Sequence, residues 1–188
     1  MAYYTEEELN SLGFKSLGIN VKVSKLASIY NHDSIELGDH SRIDDFCVIS
    51  GKVSIGKYCH ITPMCLIAGG TPGVFLDDFV TLAYGVKIFS QSDDYSGKTM
   101  TNSLVPREFK DEIFEPVTLE KYVIVGANAT ILPGTVVAEG GSIGSMTLVN
   151  KNTQPWSMYV GVPARYLKER KRDLLKLVPK FLSKIEND

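Results

Sequence analysis

Branched aliphatic residues recur at every sixth position along most of this chain. They run through Leu37, Ile43, Ile49, Ile55, Ile61 and Ile67, then Leu76, Leu82 and Ile88, then Leu119, Val125, Ile131, Val137, Ile143 and Val149. An α-helix repeats at about 3.6 residues and a half-buried strand at about two, so this spacing denotes a structural repeat instead. A second coordinate lies two residues before each aliphatic, at Ser41, Cys47, Val53, Cys59, Cys65, Val74, Val80, Val86, Val123, Ala129, Thr135, Gly141 and Thr147. These side chains are small or β-branched, as a narrow interior lined by short strands requires. Three hexads close one triangular coil of about 18 residues, and stacked coils bury a core that no single coil could bury. The pattern therefore predicts a mainly β chain, a parallel β-helix; the hexad form is associated with a left-handed coil, against the usual right-handed crossover. Gly38, Gly56, Gly126 and Gly144 follow corner aliphatics, where a tight turn favours a residue without Cβ.

The interruptions of the beat define the organisation. Residues 1–20 read as a short N-terminal helical lead-in: Thr5 caps the first turn with Glu8 reaching back, and Leu9, Leu12 and Phe14 form its apolar side. Residues 21–163 carry the repeat, with Val23, Ile29 and Ile35 starting a beat that slips to Leu37. Ala68 to Phe75 (AGGTPGVF) lengthens one hexad. Residues 90–116 form a long inserted loop, of the kind that is usually functional when it interrupts a compact domain. Residues 164–188 read as a C-terminal helical tail with Leu167, Leu174, Leu175, Val178, Phe181, Leu182 and Ile185 on one side and Pro179 restarting it. Trp156 is expected to plug the last coil or to cover the adenine end of a bound cofactor.

Composition narrows the function. The net charge of −2 over 188 residues leaves no basic footprint for nucleic acid or an anionic membrane. No apolar run is long enough to span a bilayer and the polar start is not a signal peptide, so a cytoplasmic location is expected. The three cysteines show no paired spacing, and all fall on the inward small-residue coordinate, which makes them core fillers.

The stretch VIVGANATILPGTVVAEGGSIGSMTLVNKNTQPWSMYVGVPAR, Val123 to Arg165, resembles the C-terminal signature of hexapeptide-repeat acyltransferases. The loop QSDDYSGKTMTN and the segment RIDDF resemble enzymes of bacterial surface-polysaccharide pathways, in particular those acylating nucleotide-linked 4-amino-4,6-dideoxy sugars of the dTDP-4-amino-4,6-dideoxyglucose type. The resemblance implies a homotrimer with active sites between subunits and acetyl-CoA as co-substrate, without a metal. It places the pantetheine arm along an edge formed by Asp44, Thr62, Ala83, Gly126 and Gly144. Backbone groups at Ala127 and Ser145 would contact that arm, the Ala127 amide facing the thioester oxygen. Lys151 and Arg165 match positions near the cofactor phosphates.

Acyl transfer needs a deprotonated nucleophile and a polarised thioester held in line. The sugar O-acetyltransferases of this superfamily use a loop histidine as base; the matching position here is Asp93, and the loop holds no histidine. An alcohol gains much from imidazole, whereas an amine has a lone pair once its ammonium loses a proton, so N-acylation is favoured. Asp93 or Asp94 is the expected catalytic carboxylate, with Gln91 and Tyr95 lining the acceptor pocket. Asp44 matches a sugar-contacting position and is expected to hold the substrate ammonium, with His60 reaching the acceptor pocket of a neighbouring subunit. The same residues have plainer readings: Asp93 to Gly97 also reads as a turn. The competing functions are a sugar O-acetyltransferase, a zinc carbonic anhydrase, which needs three metal-ligating histidines, and a non-catalytic scaffold.

Overall fold

The computed structural model describes residues 2–185. Three parallel sheets form the faces of a triangular β-solenoid, and the chain visits them in turn. The first face runs Ser16–Leu17, Ile35–Leu37, Val53–Ile55, Val74–Leu76, Val117–Leu119 and Val136–Val137. The second holds Lys22–Val23, Arg42–Ile43, His60–Ile61, Thr81–Leu82, Ile124–Val125, Ser142–Ile143 and Ser157–Val160. The third holds Ser28–Ile29, Val48–Ser50, Leu66–Ala68, Lys87–Phe89, Thr130–Ile131 and Leu148–Val149. Equivalent residues of successive coils pair in register, so Ile43, Ile61, Leu82, Val125 and Ile143 stack as one column.

Both inward coordinates are buried, and the three cysteines are free thiols within the core. Burial pushes the Cys59 thiol up to about 12. All three are closed off from solvent in the core, and a sulfur that no substrate reaches does not act as a nucleophile.

At one corner the residues that take left-handed backbone angles are aromatic. His40, Tyr58, Phe79 and Tyr122 all have φ between 55° and 64°. Their rings stack coil upon coil, with centroids 4.8, 5.1 and 5.6 Å apart. Each such backbone costs about 1–2 kcal/mol, which ring stacking worth about 0.5–1.5 kcal/mol per pair and the buried area help to offset.

Trp156 stands at this corner in the last coil, just before the Ser157–Val160 strand. In the coil before it the column position is Gly140, where a Cβ would lie 2.4 Å from the indole, and Trp156 fills the space left open. Its amide donates to the Glu139 carbonyl at 2.7 Å.

The two ends differ from their sequence reading. The N-terminal helix α1 (Glu6–Ser11) has the expected Thr5–Glu8 capping box, but it stops at Leu12. Gly13 turns the chain at φ 74°, and Ser16–Leu17 already pairs with Glu36–Leu37, so the solenoid starts before residue 21. The tail is not helical from 164. Arg165–Glu169 forms an antiparallel strand on Ser157–Val160, covering what would be an open strand edge. Helix α2 is confined to Val178–Ile185, with Pro179 in its first turn, where a missing N–H costs nothing. The end of the expected tail, residues 186–188, lies outside the described residues.

Arg170 ties this tail down: its Nη1 donates to the carbonyls of Tyr122, Gly140 and Gly141 at 2.7, 2.9 and 3.3 Å. Arg170→Ala is expected to lower the unfolding free energy by about 2 kcal/mol, the scale of bonds from charged donors. An unchanged urea midpoint would mean that the strap adds nothing to stability.

Candidate functional site

The residues of the expected edge stand one above another, as the repeat required. The amides of Asp44, Thr62, Ala83, Gly126 and Gly144 donate to Ile61, Leu82, Val125, Ile143 and Tyr159 of the following coil at 2.8–3.1 Å. These N–H groups are therefore consumed by stacking. The next residue along differs: the amides of Ala127 and Ser145 donate to no group among the described residues. Two free donors on successive coils, at a partly exposed edge, can bind carbonyl oxygens of a ligand lying along the solenoid.

Gly126 and Gly144 owe their identity to another cause than a turn. Neither lies in the left-handed region. A Cβ on Gly126 would sit 2.5 Å from the Ser145 nitrogen and 2.7 Å from the Gly144 carbonyl carbon. Coil-to-coil contact, not turn geometry, excludes a side chain there.

Asp44 is enclosed rather than open. It is 1 % exposed, the one charged side chain in the buried set of the described residues. Arg42 grips it with Nε 2.6 Å from Oδ1 and Nη2 3.2 Å from Oδ2. The Tyr3 hydroxyl donates to Oδ1 at 3.0 Å, and His60 Nε2 lies 2.9 Å from Oδ2. Burial pushes the carboxyl pKa up, but the bonds from Arg42, His60 and Tyr3 outweigh it and hold the group below its ordinary value. With both oxygens occupied, Asp44 is not placed to hold a substrate ammonium. Sequence reasoning missed Arg42 and Tyr3. Arg42 was within reach, since it pairs in register with His60 one coil away; Tyr3 arrives from the lead-in, and no periodicity announces it.

The inserted segment is a closed ribbon, not an open loop. Gln91–Ser92 pairs antiparallel with Ile113–Phe114 at its neck, and Arg107–Phe109 makes a short 3-10 turn. Asp93, Asp94 and Tyr95 come together in a cleft of about 760 Å³ with Asp111, Glu115, Leu132, Pro133 and Asn150. Gln91 is not part of it; it faces a separate polar cleft with Lys15, Asn31, Lys52 and Thr71.

The two neighbouring aspartates differ. Asp94 accepts from the Ser96 amide and hydroxyl at 2.7 and 2.9 Å and from the Thr99 hydroxyl and amide at 3.1 and 3.2 Å. The Ser96 bonds lead in bringing its pKa down to about 2. A carboxylate with a lowered folded pKa stabilises the fold above its unfolded value and loses that contribution as pH falls, so this turn is held at neutral and mildly acidic pH. Asp93 accepts only the Asn102 amide, on Oδ1 at 3.3 Å, which leaves Oδ2 without a partner among the described residues.

Lys151 and Arg165 are both exposed, and the Arg165 guanidinium donates to the adjacent Ala164 carbonyl at 3.4 Å. No group of three or more His, Cys, Asp or Glu side chains among the described residues is disposed to hold a metal ion. No helix among them is long and apolar enough to cross a membrane.

A triangular hexad solenoid with free edge amides and a carboxylate-lined ribbon defines a class: this chain belongs to the hexapeptide-repeat acyltransferases. The family of bacterial transferase hexapeptide repeats matches residues 34–69. Over 184 residues the chain is 38 % identical to the dTDP-4-amino-4,6-dideoxy-D-glucose acyltransferase of Escherichia coli, covering 96 % of this chain and 95 % of that enzyme. It is similar to AntD, an N-acyltransferase from Bacillus cereus solved with dTDP and 3-hydroxybutyryl-CoA, at 40 % identity and a TM-score of 0.97, covering 99 % of this chain and 100 % of that one. A serine-to-alanine variant of AntD, solved with dTDP-4-amino-4,6-dideoxyglucose and coenzyme A, matches at 41 % identity and a TM-score of 0.96 over 97 % of this chain and 98 % of that one.

Proposed function

We propose that this chain transfers an acetyl group from coenzyme A to the amino group of dTDP-4-amino-4,6-dideoxyglucose. The observation that carries the reading is the ribbon cleft, where Asp93, Asp94, Asp111 and Glu115 gather without an imidazole. Four carboxylates attract an ammonium and suit it better than a hydroxyl, and the substrate matches what the E. coli and B. cereus relatives act on or bind. Asp93 takes the proton from the attacking nitrogen through its free oxygen. The nitrogen forms its bond to the carbonyl carbon, the C–S bond breaks, and the sulfur leaves to be protonated. The Ala127 amide holds the carbonyl oxygen as charge builds on it. Asp94 keeps the ribbon turn in shape. Attack is direct, since all three thiols are buried in the core. Those reduced thiols also fit a cytoplasmic location.

The acid-lined ribbon leaves the third face at one corner of the prism, and the free amides lie between the second and third faces at another. One chain does not bring them together, which favours sites shared between copies of a homotrimer. Exposed apolar side chains support this: Phe46, Met64 and Met146 protrude from the edge, and Leu104, 93 % exposed, from the ribbon. Lys151 and Arg165 then serve the cofactor phosphates.

Release of free thiol decides the reading. Turnover is expected with acetyl-CoA and dTDP-4-amino-4,6-dideoxyglucose and not with simple glycosides; turnover of glycosides alone would overturn it. AntD is solved with 3-hydroxybutyryl-CoA, and a higher kcat/KM with that thioester than with acetyl-CoA would replace acetyl in the proposal.

A further inference from the structure

The two free edge amides belong to a column in which one residue is out of scale. The carbonyls of Pro63, Tyr84 and Ala127 accept the amides of Gly85, Asn128 and Met146 at 3.1, 2.9 and 2.9 Å. These three residues therefore stand one above another on successive coils, with Ser145 on the coil after. Ser145, Ala127 and the glycines before them, Gly144 and Gly126, make a lane of small residues that ends at Tyr84. A single exposed tyrosine needs no explanation in general; this one stands directly in register with Ala127. Its ring is 61 % exposed and makes no ring contact, cation–π contact or hydrogen bond among the described residues. At the aromatic corner, by contrast, each ring lies against the next. Its neighbours do not prop it up either, since Ala83 precedes it and Gly85 follows it.

We infer that Tyr84 sets the length of acyl group this enzyme accepts, closing the lane one coil beyond the thioester and restricting the donor to acetyl. The inference rests on the acyltransferase reading above, in which Lys151 and Arg165 of the last coils serve the cofactor phosphates and the Ala127 amide holds the carbonyl oxygen. From those cations the free amides are met in the order Ser145, then Ala127. The sulfur thus arrives from the Ser145 side. The acyl chain leaves the carbonyl carbon away from the sulfur, toward the coil of Tyr84. Coils lie about 4.8 Å apart, and non-bonded carbons approach to about 3.5–4.0 Å. The gap takes the methyl of an acetyl group and not the three further carbons of a butyryl. Only the ring stands in the way. On the coil beyond it are Pro63 and Met64, the latter 64 % exposed, an apolar path on which a longer chain can bury surface.

Isothermal titration of the full-length protein with acetyl-, butyryl- and hexanoyl-CoA, with no sugar present, tests this without turnover. The wild type is expected to bind butyryl-CoA at least tenfold more weakly than acetyl-CoA. In Tyr84→Ala the two affinities are expected to agree within threefold, with hexanoyl-CoA gaining most as its chain reaches Met64. Tyr84→Phe is expected to keep the wild-type ratio, because bulk and not the hydroxyl closes the lane. A side chain that merely shaped the edge would move all three thioesters alike, since they differ only in the chain. A wild type that takes butyryl-CoA as tightly as acetyl-CoA, or a Tyr84→Ala protein that keeps the tenfold preference, would overturn the inference. A wild type that binds none of the thioesters overturns the acyltransferase reading and the inference together. One that shows the shift in chain length but turns over no amino sugar overturns the substrate reading alone.

Discussion

Replacing Asp93 with asparagine is expected to lower kcat about 10³-fold, within the range contributed by a positioned general base, while the affinity for acetyl-CoA stays as in the wild type. Asparagine is nearly isosteric and can still accept the Asn102 amide that Asp93 binds at 3.3 Å, so the ribbon keeps its shape. What disappears is the free oxygen able to take a proton. Asp94→Asn makes the control, because the same change falls on a carboxylate whose oxygens accept four bonds from Ser96 and Thr99. An amide cannot accept on both sides, so the turn loosens. The expected signs are faster proteolytic cleavage within residues 93–112 and a raised KM for the sugar, with a smaller loss of kcat than at Asp93. Steady-state kinetics with isothermal titration of acetyl-CoA tests both. An Asp93→Asn enzyme within a few-fold of wild type would remove Asp93 from the chemistry. A larger loss at Asp94 with an uncleaved ribbon would exchange the two roles.

The sequence carried the solenoid because its repeat is local: every sixth residue must fill the same corner, so burial is written into spacing. The stacking of Ile43, Ile61, Leu82, Val125 and Ile143 could be counted without coordinates for that reason. The ends were harder. Leu167 has the same apolar character on a strand as on a helix, and only the open edge left by Ser157–Val160 selects the strand. At the site, residue types were legible but their surroundings were not. The difference between Asp93 and Asp94 depends on Ser96, Thr99 and Asn102 folding back, which adjacent identical letters do not encode. Asp44 looked like an open acid because its partner Tyr3 stands 41 residues away. One relation was there to be read: Arg42 and His60 are a full coil apart, and the period itself places them side by side.

Gly126→Ala is expected to lower stability by about 3 kcal/mol, the upper end of the usual cost of overpacking, seen as a fall in Tm of about 10 °C for a chain of this size. The added methyl meets three backbone atoms of the following coil, the Ser145 nitrogen at 2.5 Å, the Gly144 carbonyl carbon at 2.7 Å and the Ile143 oxygen at 2.9 Å. Backbone in a hydrogen-bonded rung cannot swing aside as a side-chain tip does. The coil must rise, and the bond from the Gly126 amide to Ile143, 2.8 Å long, is stretched with it. Gly97→Ala separates this effect from the ordinary cost of losing a glycine. Gly97 has φ 79° with nothing within 4 Å of its would-be Cβ, so that variant carries backbone strain alone, about 1–2 kcal/mol. Thermal unfolding of both variants without ligand gives the comparison. A Gly126→Ala protein that melts like the wild type but binds acetyl-CoA more weakly would mean that the glycine is there for the pantetheine arm. A protein that melts early in the absence of any ligand would mean that the same atoms spacing the coils also leave the edge bare, so that the lane for the cofactor is a by-product of how closely the solenoid stacks.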